Sequence, residues 1–230
     1  MNELLSCEAL TKCYQKDKTA LENVDLHIGF GRIVGLLGPN GSGKTTLIKL
    51  ANGLLQPSAG SIRIAGMTPG PDTKAIVSYL PDADWLPDWM RVEQLVEMFR
   101  EFYADFDPAK ANEMLELEPK ARLKTLSKGS KEKVQLILAM SRAAKLYLLD
   151  EPIGGVDPAA RDYILSTILN NYSRDATVIL STHLIGDIEP ILDEAVFLKD
   201  GRVFAHRNAE ELRETEGMSV DAYFREVFKC

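Results

Sequence analysis

Apolar and polar residues alternate in three segments of the chain. Residues 4–11 and 20–28 alternate on either side of a polar turn at residues 15–18, and residues 61–66 alternate after a turn at 56–60. Side chains of every second residue in a strand share one face, so this period indicates strands with one buried face. The three segments therefore predict a small antiparallel sheet.

Short apolar runs indicate a second kind of strand. Residues 33–37, 143–149 and 177–181 are mostly apolar, and residues 159–172 have helical spacing between the last two runs. Such runs are typical of strands that are covered on both faces. Their alternation with helices predicts an α/β fold with a parallel sheet.

The middle and the end of the chain have different patterns. Residues 92–103 and 108–117 predict helices, and a further helix is expected over 134–144, so the middle forms a helical insert. Residues 195–199 and 202–205 flank Asp200-Gly201 and predict a hairpin. A polar amphipathic tail follows to Cys230.

A glycine-rich segment lies between the strand at 33–37 and a helix whose apolar positions begin at Leu47. Glycines adopt backbone angles that let successive N–H groups converge on phosphate oxygens, and the helix N-terminus adds partial positive charge. A plain glycine-rich turn is the alternative, which the strand-to-helix context disfavours. The segment predicts a nucleotide site formed by Gly38, Asn40, Gly41, Ser42, Gly43, Lys44, Thr45 and Thr46.

Side chains of this segment suggest individual roles. Lys44 is expected to reach the β- and γ-phosphates, Thr45 to bind Mg²⁺ through its hydroxyl, and Thr46 to contact phosphate. Asp150 and Glu151 end the apolar run at 146–149, at the sheet edge where such folds bind ligands. We expect Asp150 to hold Mg²⁺ indirectly, from outside its direct ligands, and Glu151 to act as general base or to orient the attacking water. Two solvated acids at a strand end are the alternative.

Ser127 precedes the helix of the insert and is a candidate N-cap. A helix start that carries serine and glycine can bind an anion. Taken alone, this feature is more often a plain capped helix.

Together these motifs make the chain resemble the nucleotide-binding subunit of an ATP-binding cassette (ABC) transporter. They occur in the family's order and cover nearly the whole length, 1–230, as a single domain with a helical subdomain at about 83–145. The resemblance implies a P-loop NTPase (RecA-like) core with a parallel sheet, an antiparallel β subdomain and a helical subdomain that bears the signature motif. It also implies ATP hydrolysis with ATP and Mg²⁺ as cofactors.

The resemblance assigns further residues. It implies catalytic roles for Lys44, Glu151 and His183, the last as a sensor of the γ-phosphate. Tyr14 corresponds to the aromatic residue that stacks on adenine. Residues 153–157 resemble the loop that follows the acidic strand. In this family two cassettes pack head to tail, so that Ser127 and Gly129 of one chain cap the ATP of the other.

Three positions depart from the usual motifs. Asp82 replaces a glutamine that, in the family, links Mg²⁺ and the attacking water to the membrane partner. We still expect Asp82 to contact the nucleotide and the metal. Lys128 and Ser130 replace a glycine and a glutamine of the signature. This version resembles single-cassette exporter ATPases of antibiotic and lantibiotic resistance.

Partners and location follow from bulk properties and from the resemblance. The chain has 230 residues and a net charge of −7, so no nucleic-acid partner is expected. It shows neither an apolar stretch long enough for a membrane span nor a signal peptide. We expect a cytoplasmic protein that is peripheral on the inner face of the membrane through a permease, with a second ABC ATPase subunit as its partner. Two alternative functions stay open at this point. One is an ATPase of translation or DNA repair, and the other is a regulatory module with little hydrolysis.

Some residues keep two interpretations at this point. Trp85, Leu86 and Trp89 form either part of the core or a groove for a membrane partner. His27 and His206 lack motif neighbours and are interpreted as structural or solvated. The three cysteines show no metal-ligand spacing and are interpreted as reduced thiols.

Overall fold

A computed structural model describes residues 3–15, 18–116 and 118–228. Met1, Asn2, Leu117, Cys230 and the centre of the predicted turn at 15–18 lie outside the described residues. The strands are β1 (Glu3–Gln15), β2 (Lys18–Gly29), β3 (Ile33–Leu37), β4 (Ala59–Ile64), β5 (Val77–Leu80), β6 (Leu146–Asp150), β7 (Thr177–Thr182), β8 (Glu194–Lys199) and β9 (Arg202–Asn208). The helices are α1 (Lys44–Ala51), α2 (Pro71–Lys74), α3 (Val92–Phe102), α4 (Pro108–Leu115), α5 (Lys128–Met140), α6 (Pro158–Asn171), α7 (Ile185–Ile188), α8 (Ala209–Thr215) and α9 (Val220–Phe228), with 3₁₀ turns at Leu123–Thr125 and Glu189–Ile191.

The smaller sheet has the order β2-β1-β4 and is antiparallel. This confirms the sheet that the alternating segments predict. One face of the sheet packs on β3, β6, β7 and β8 through apolar side chains such as Leu5, Leu26 and Val34. The strand β1 is longer than predicted because its polar end, up to Gln15, still pairs with β2.

The larger sheet has the order β5-β6-β7-β3-β8-β9 and confirms the predicted α/β class. Its first five strands are parallel, and β9 returns antiparallel to β8 through the predicted hairpin at Asp200-Gly201. The apolar runs form β3, β6 and β7, although β6 begins three residues later than predicted. The sequence pattern does not predict β5, because four residues are too few to show a period.

The helices of the insert pack around their own cluster of buried apolar side chains, including Leu95, Phe99 and Val134. The helix α5 begins at Lys128, directly after its predicted N-cap Ser127, whereas its predicted end at residue 144 is wrong, since it ends at Met140. Its end is fixed by Arg142, which donates to Asp105 and to the carbonyl of Val77. The parallel strands β3, β6 and β7 end at one edge of the sheet, and the residues after them form the site described next.

Candidate nucleotide site

The loop between β3 and α1 requires its glycines. Gly41 and Gly43 have φ angles of 83° and 107°, which L-residues rarely adopt. A Cβ on Gly43 would lie 2.7 Å from the carbonyl oxygen of Ala20, and Gly38 has no room for a Cβ beside Ser42. The loop thereby turns directly into α1, whose first residues Lys44, Thr45 and Thr46 line the cleft.

The Lys44 side chain is buried and lies across the loop that precedes it. Its Nζ donates to the carbonyl oxygen of Gly38 at 2.7 Å and lies 3.9 Å from Oε1 of Glu151. Burial lowers the pKa of Lys44, although the negative charges of Glu151 and Asp150 act in the opposite direction. An additional anion beside Lys44 would stabilise its charged form.

Asp150 is buried at the end of β6 and is held from two sides. Its Oδ1 accepts hydrogen bonds from the hydroxyls of Ser181 at 2.7 Å and Thr45 at 3.1 Å. Its Oδ2 is buried without a hydrogen-bond partner among the described residues. A buried, unpartnered carboxylate oxygen beside a threonine hydroxyl is the hard oxygen donor set that Mg²⁺ prefers, so these residues fit the expected metal.

Glu151 leaves the strand with a left-handed backbone, φ 51°, which costs about 1 kcal/mol in an L-residue. Its N–H donates to the Oγ of Ser181 at 3.0 Å, and this contact helps to hold the turn. Its Oε2 lies 3.0 Å from Nδ1 of His183. The strained turn therefore directs the carboxylate towards Lys44 and His183 instead of continuing the sheet.

Lys44, Glu151 and His183 line one cleft of about 770 Å³. Asp150 and Gly38 lie outside its described lining, and Asp150 is joined to it through Thr45. Tyr14 lies at its rim with its ring half exposed, and its hydroxyl is 3.3 Å from Oγ1 of Thr46. Predicted residues in the lining are Tyr14, Asn40, Gly41, Ser42, Gly43, Lys44, Thr45, Thr46, Asp82, Glu151 and His183. The structure thus brings together residues that are up to about 170 positions apart in sequence.

The signature residues lie elsewhere. Ser127 is the N-cap of α5 as predicted, since its Oγ accepts from the N–H of Ser130 at 3.2 Å. Both Ser127 and Gly129 are exposed and lie outside the described lining of the cleft. Within one chain, the signature residues and Lys44 therefore do not share the cleft.

The remaining aromatic and histidine residues divide between core and surface. Leu86 is buried in the helical cluster, Trp85 packs against Phe99 at 5.8 Å between ring centroids, and Trp89 is 68% exposed. His27 and His206 lie outside the described lining of the cleft and contact Glu3 at 3.2 Å and Glu194 at 2.8 Å.

Sequence patterns do not reveal two features of the site. No pattern gives Ser181 a role of its own, yet its hydroxyl joins Asp150 to the backbone of Glu151. Gly154 and Gly155 also line the cleft, on the loop that follows Glu151. The pairing of β6 with β7, which sets Asp150 opposite Ser181, creates the first contact, and no local pattern indicates that register.

Comparison with known proteins places the chain in a family. A family model described as "ABC transporter" matches residues 21–154. ABC-type transporter ATP-binding protein EcsA of Bacillus subtilis (strain 168) is 32% identical to the chain, over 98% of the chain and 97% of EcsA. SkfA peptide export ATP-binding protein SkfE of the same organism is 31% identical, over 87% of each protein.

A solved structure described as the ATP binding subunit of an ABC transporter has a TM-score of 0.85 and 29% identity, and the match covers 98% of this chain and 99% of that one. None of the helices within the described residues combines the length and the apolar character that a membrane span requires. The family model spans more than half of the chain, and the P-loop fold agrees with it. The chain therefore belongs to the ABC transporter family, as an ATP-binding subunit with the fold and activity of an ABC ATPase.

Proposed function

We propose that two cassettes bind Mg-ATP head to tail between them and that hydrolysis drives a separate membrane permease. One observation carries the proposal: Lys44 and Glu151 line one cleft, whereas the exposed Ser127 and Gly129 lie outside its described lining. A helix N-terminus that offers phosphate contacts but lies outside the cleft of its own chain fits the ATP site of a second chain.

ATP binding uses the loop between β3 and α1 together with Thr45 and Asp150. Lys44 moves its donors from the Gly38 carbonyl to the β- and γ-phosphates, and backbone N–H groups of the loop hold the remaining oxygens. Thr45 and Asp150 would hold Mg²⁺ through their oxygens, and Asp82, which lines the cleft, would be a further contact. When bound, Mg²⁺ neutralises charge on the phosphates. Tyr14 stacks on adenine at the rim.

Hydrolysis depends on Glu151 and His183. The carboxylate of Glu151 is close to Lys44 and to the imidazole of His183, so it lies where the γ-phosphate ends. There it accepts a proton from water or orients that water for in-line attack. His183 holds the carboxylate in place and contacts the γ-phosphate.

The cycle works as a population shift. ATP stabilises the closed dimer only by its higher affinity for the closed state than for the open one, and loss of the γ-phosphate removes that difference. Exposed apolar side chains such as Trp89 and Phe102 support a permease contact on the helical insert. The name of the relative SkfE supports export as the direction of transport.

A regulatory module that closes on ATP without hydrolysing it is the second candidate, favoured by the departure at Asp82. The test compares phosphate release by the purified wild-type chain with that of Glu151→Gln. We expect Glu151→Gln to lower turnover by about 10²-fold or more, while it keeps ATP binding and accumulates dimer in Mg-ATP. Near-normal turnover of the variant would remove Glu151 from its role, and absence of phosphate release by the wild type would favour the regulatory module.

A further inference from the structure

Two of the unusual residues, Asp82 and Lys128, face the same small cavity. The cavity has a volume of about 200 Å³ and is bounded by α5 and by the residues that end β5 and β6. Asp82 follows β5, whereas Lys128 is the first residue of α5. The two side chains therefore bring opposite charges to the boundary between the helical insert and the large sheet.

Carboxylates are in excess around this cavity. Asp84, Glu132, Asp150 and Glu151 also line it, and one oxygen each of Glu132 and Asp150 is buried without a hydrogen-bond partner among the described residues. Lys128 is the one basic residue in the described lining. Its ammonium group is therefore the positive charge that the described lining itself supplies, while Lys44 lies beside Glu151 on the side of the cleft.

Lys128 pairs with Glu132 of its own helix and also lies close to the nucleotide site. Its Nζ is 3.6 Å from Oε1 of Glu132, a pair in which the lysine side chain is 72% exposed. The same Nζ lies 3.3 Å from the point where a Cβ of Gly155 would stand. Because Gly155 also lines the ATP cleft, Lys128 reaches from α5 to the loop beside that cleft.

Asp82 connects the cavity with the cleft, since it lines both. Burial raises the pKa of Asp82, and the charges of Asp150 and Glu151 raise it further, whereas His183 and Lys128 lower it. Asp82 and Lys128 thus line one cavity with opposite charges, and Asp82 extends that cavity to the cleft. The Lys128 side chain is largely exposed, so salt screens its charge more strongly than that of a buried group.

We propose that Lys128 offsets, within one chain, the negative charge that Asp82 adds to the nucleotide site. The inference rests on the proposed function, because it concerns the same site. ATP carries its own negative charge, so an uncompensated carboxylate that faces the phosphates weakens binding. Lys128 is then a positioning residue that makes Asp82 compatible with Mg-ATP, and it acts through Asp82 rather than on the substrate.

A double-mutant cycle on the KM for Mg-ATP tests this coupling in the full-length chain. The variants are Lys128→Gln, Asp82→Asn and the combination of both. We expect Lys128→Gln to raise KM about five- to tenfold when Asp82 is present, but less than about twofold beside Asp82→Asn. Lys128→Arg keeps the charge and should leave KM within about twofold of wild type. Added salt should reduce the effect of Lys128→Gln.

Lys131→Gln is the matched control. Lys131 lies on the same helix, but its Nζ donates to Asp88 at 2.8 Å and it lies outside the described lining of the cavity. Lys131→Gln should change KM by the same factor in the wild-type background and in the Asp82→Asn background. Equal increases from Lys128→Gln in both backgrounds would overturn the inference, and they are the result expected if Lys128 contacted the partner's phosphates directly. A wild-type chain without ATPase activity would instead contradict the proposed function.

Discussion

Asp150 illustrates how single residues define this site. Ser181 and Thr45 occupy one of its oxygens, and the other is left buried and unpartnered among the described residues. An unpartnered buried acceptor costs about 1–3 kcal/mol, so this arrangement is maintained at the expense of stability. Together with the strained backbone of Glu151, it indicates that the edge of the sheet is arranged for a ligand rather than for the stability of the fold.

The role of Lys44 leads to a prediction at this scale. Lys44→Ala should weaken ATP binding by about 10- to 100-fold, because it removes charge-assisted contacts to the phosphates. The measurement is titration calorimetry with Mg-ATP. Lys49→Ala is the control, since Lys49 is on the same helix but outside the described lining of the cleft, and it should change affinity less than about twofold. Unchanged affinity of Lys44→Ala would remove Lys44 from the site.

At the level of elements, the loop and α1 form a unit that depends on Gly43. Gly43→Ala combines a φ of 107° with a Cβ that would lie 2.6 Å from Cδ2 of Leu21. We expect it to lower the free energy of unfolding by about 2 kcal/mol or more, measured by urea denaturation.

Gly129→Ala should change the free energy of unfolding in the opposite direction in the same experiment. Gly129 lies within α5, and a Cβ there would meet no atom within 4 Å. Alanine is the better helix former, so this variant should stabilise the fold by about 0.5 kcal/mol. A loss of stability in Gly129→Ala equal to that in Gly43→Ala would contradict the conformational argument.

Elements with a strong local signal could be predicted from the sequence, and others could not. The glycine spacing of residues 38–43 and the Asp200-Gly201 turn predict their own backbone shapes. The strand β5 has four residues and acquires its identity only by pairing with β6. Just after α5, Arg142 binds partners that are distant in sequence, including Asp105 and the carbonyl of Val77. The apolar periodicity does not show these contacts, so it predicts a helix end that is too late.

At the level of the whole molecule, strand order assembles the cleft. Thr45 contacts Asp150, which is 105 residues away, because β3, β7 and β6 are neighbours in the parallel sheet. The carboxyl-edge rule predicts that such residues share an edge, but not which hydroxyl bonds which oxygen. The same topology leaves Ser127 on the helical insert, outside the described lining of the cleft of its own chain.

The central claim is that one ATP site is built from two chains, and a complementation experiment tests it most directly. Both variants carry Glu151→Gln to retain ATP; one adds Lys44→Ala and the other adds Ser127→Asp. Aspartate is as good an N-cap as serine, so α5 should fold, but its charge repels the γ-phosphate.

Neither variant alone should retain labelled ATP in a dimer of twice 25.5 kDa on size-exclusion chromatography in Mg-ATP. A mixture of the two should retain it, because a mixed dimer has one site with an intact Lys44 and an intact Ser127 from different chains. Retention by the Ser127→Asp chain alone, or none in the mixture, would contradict the account.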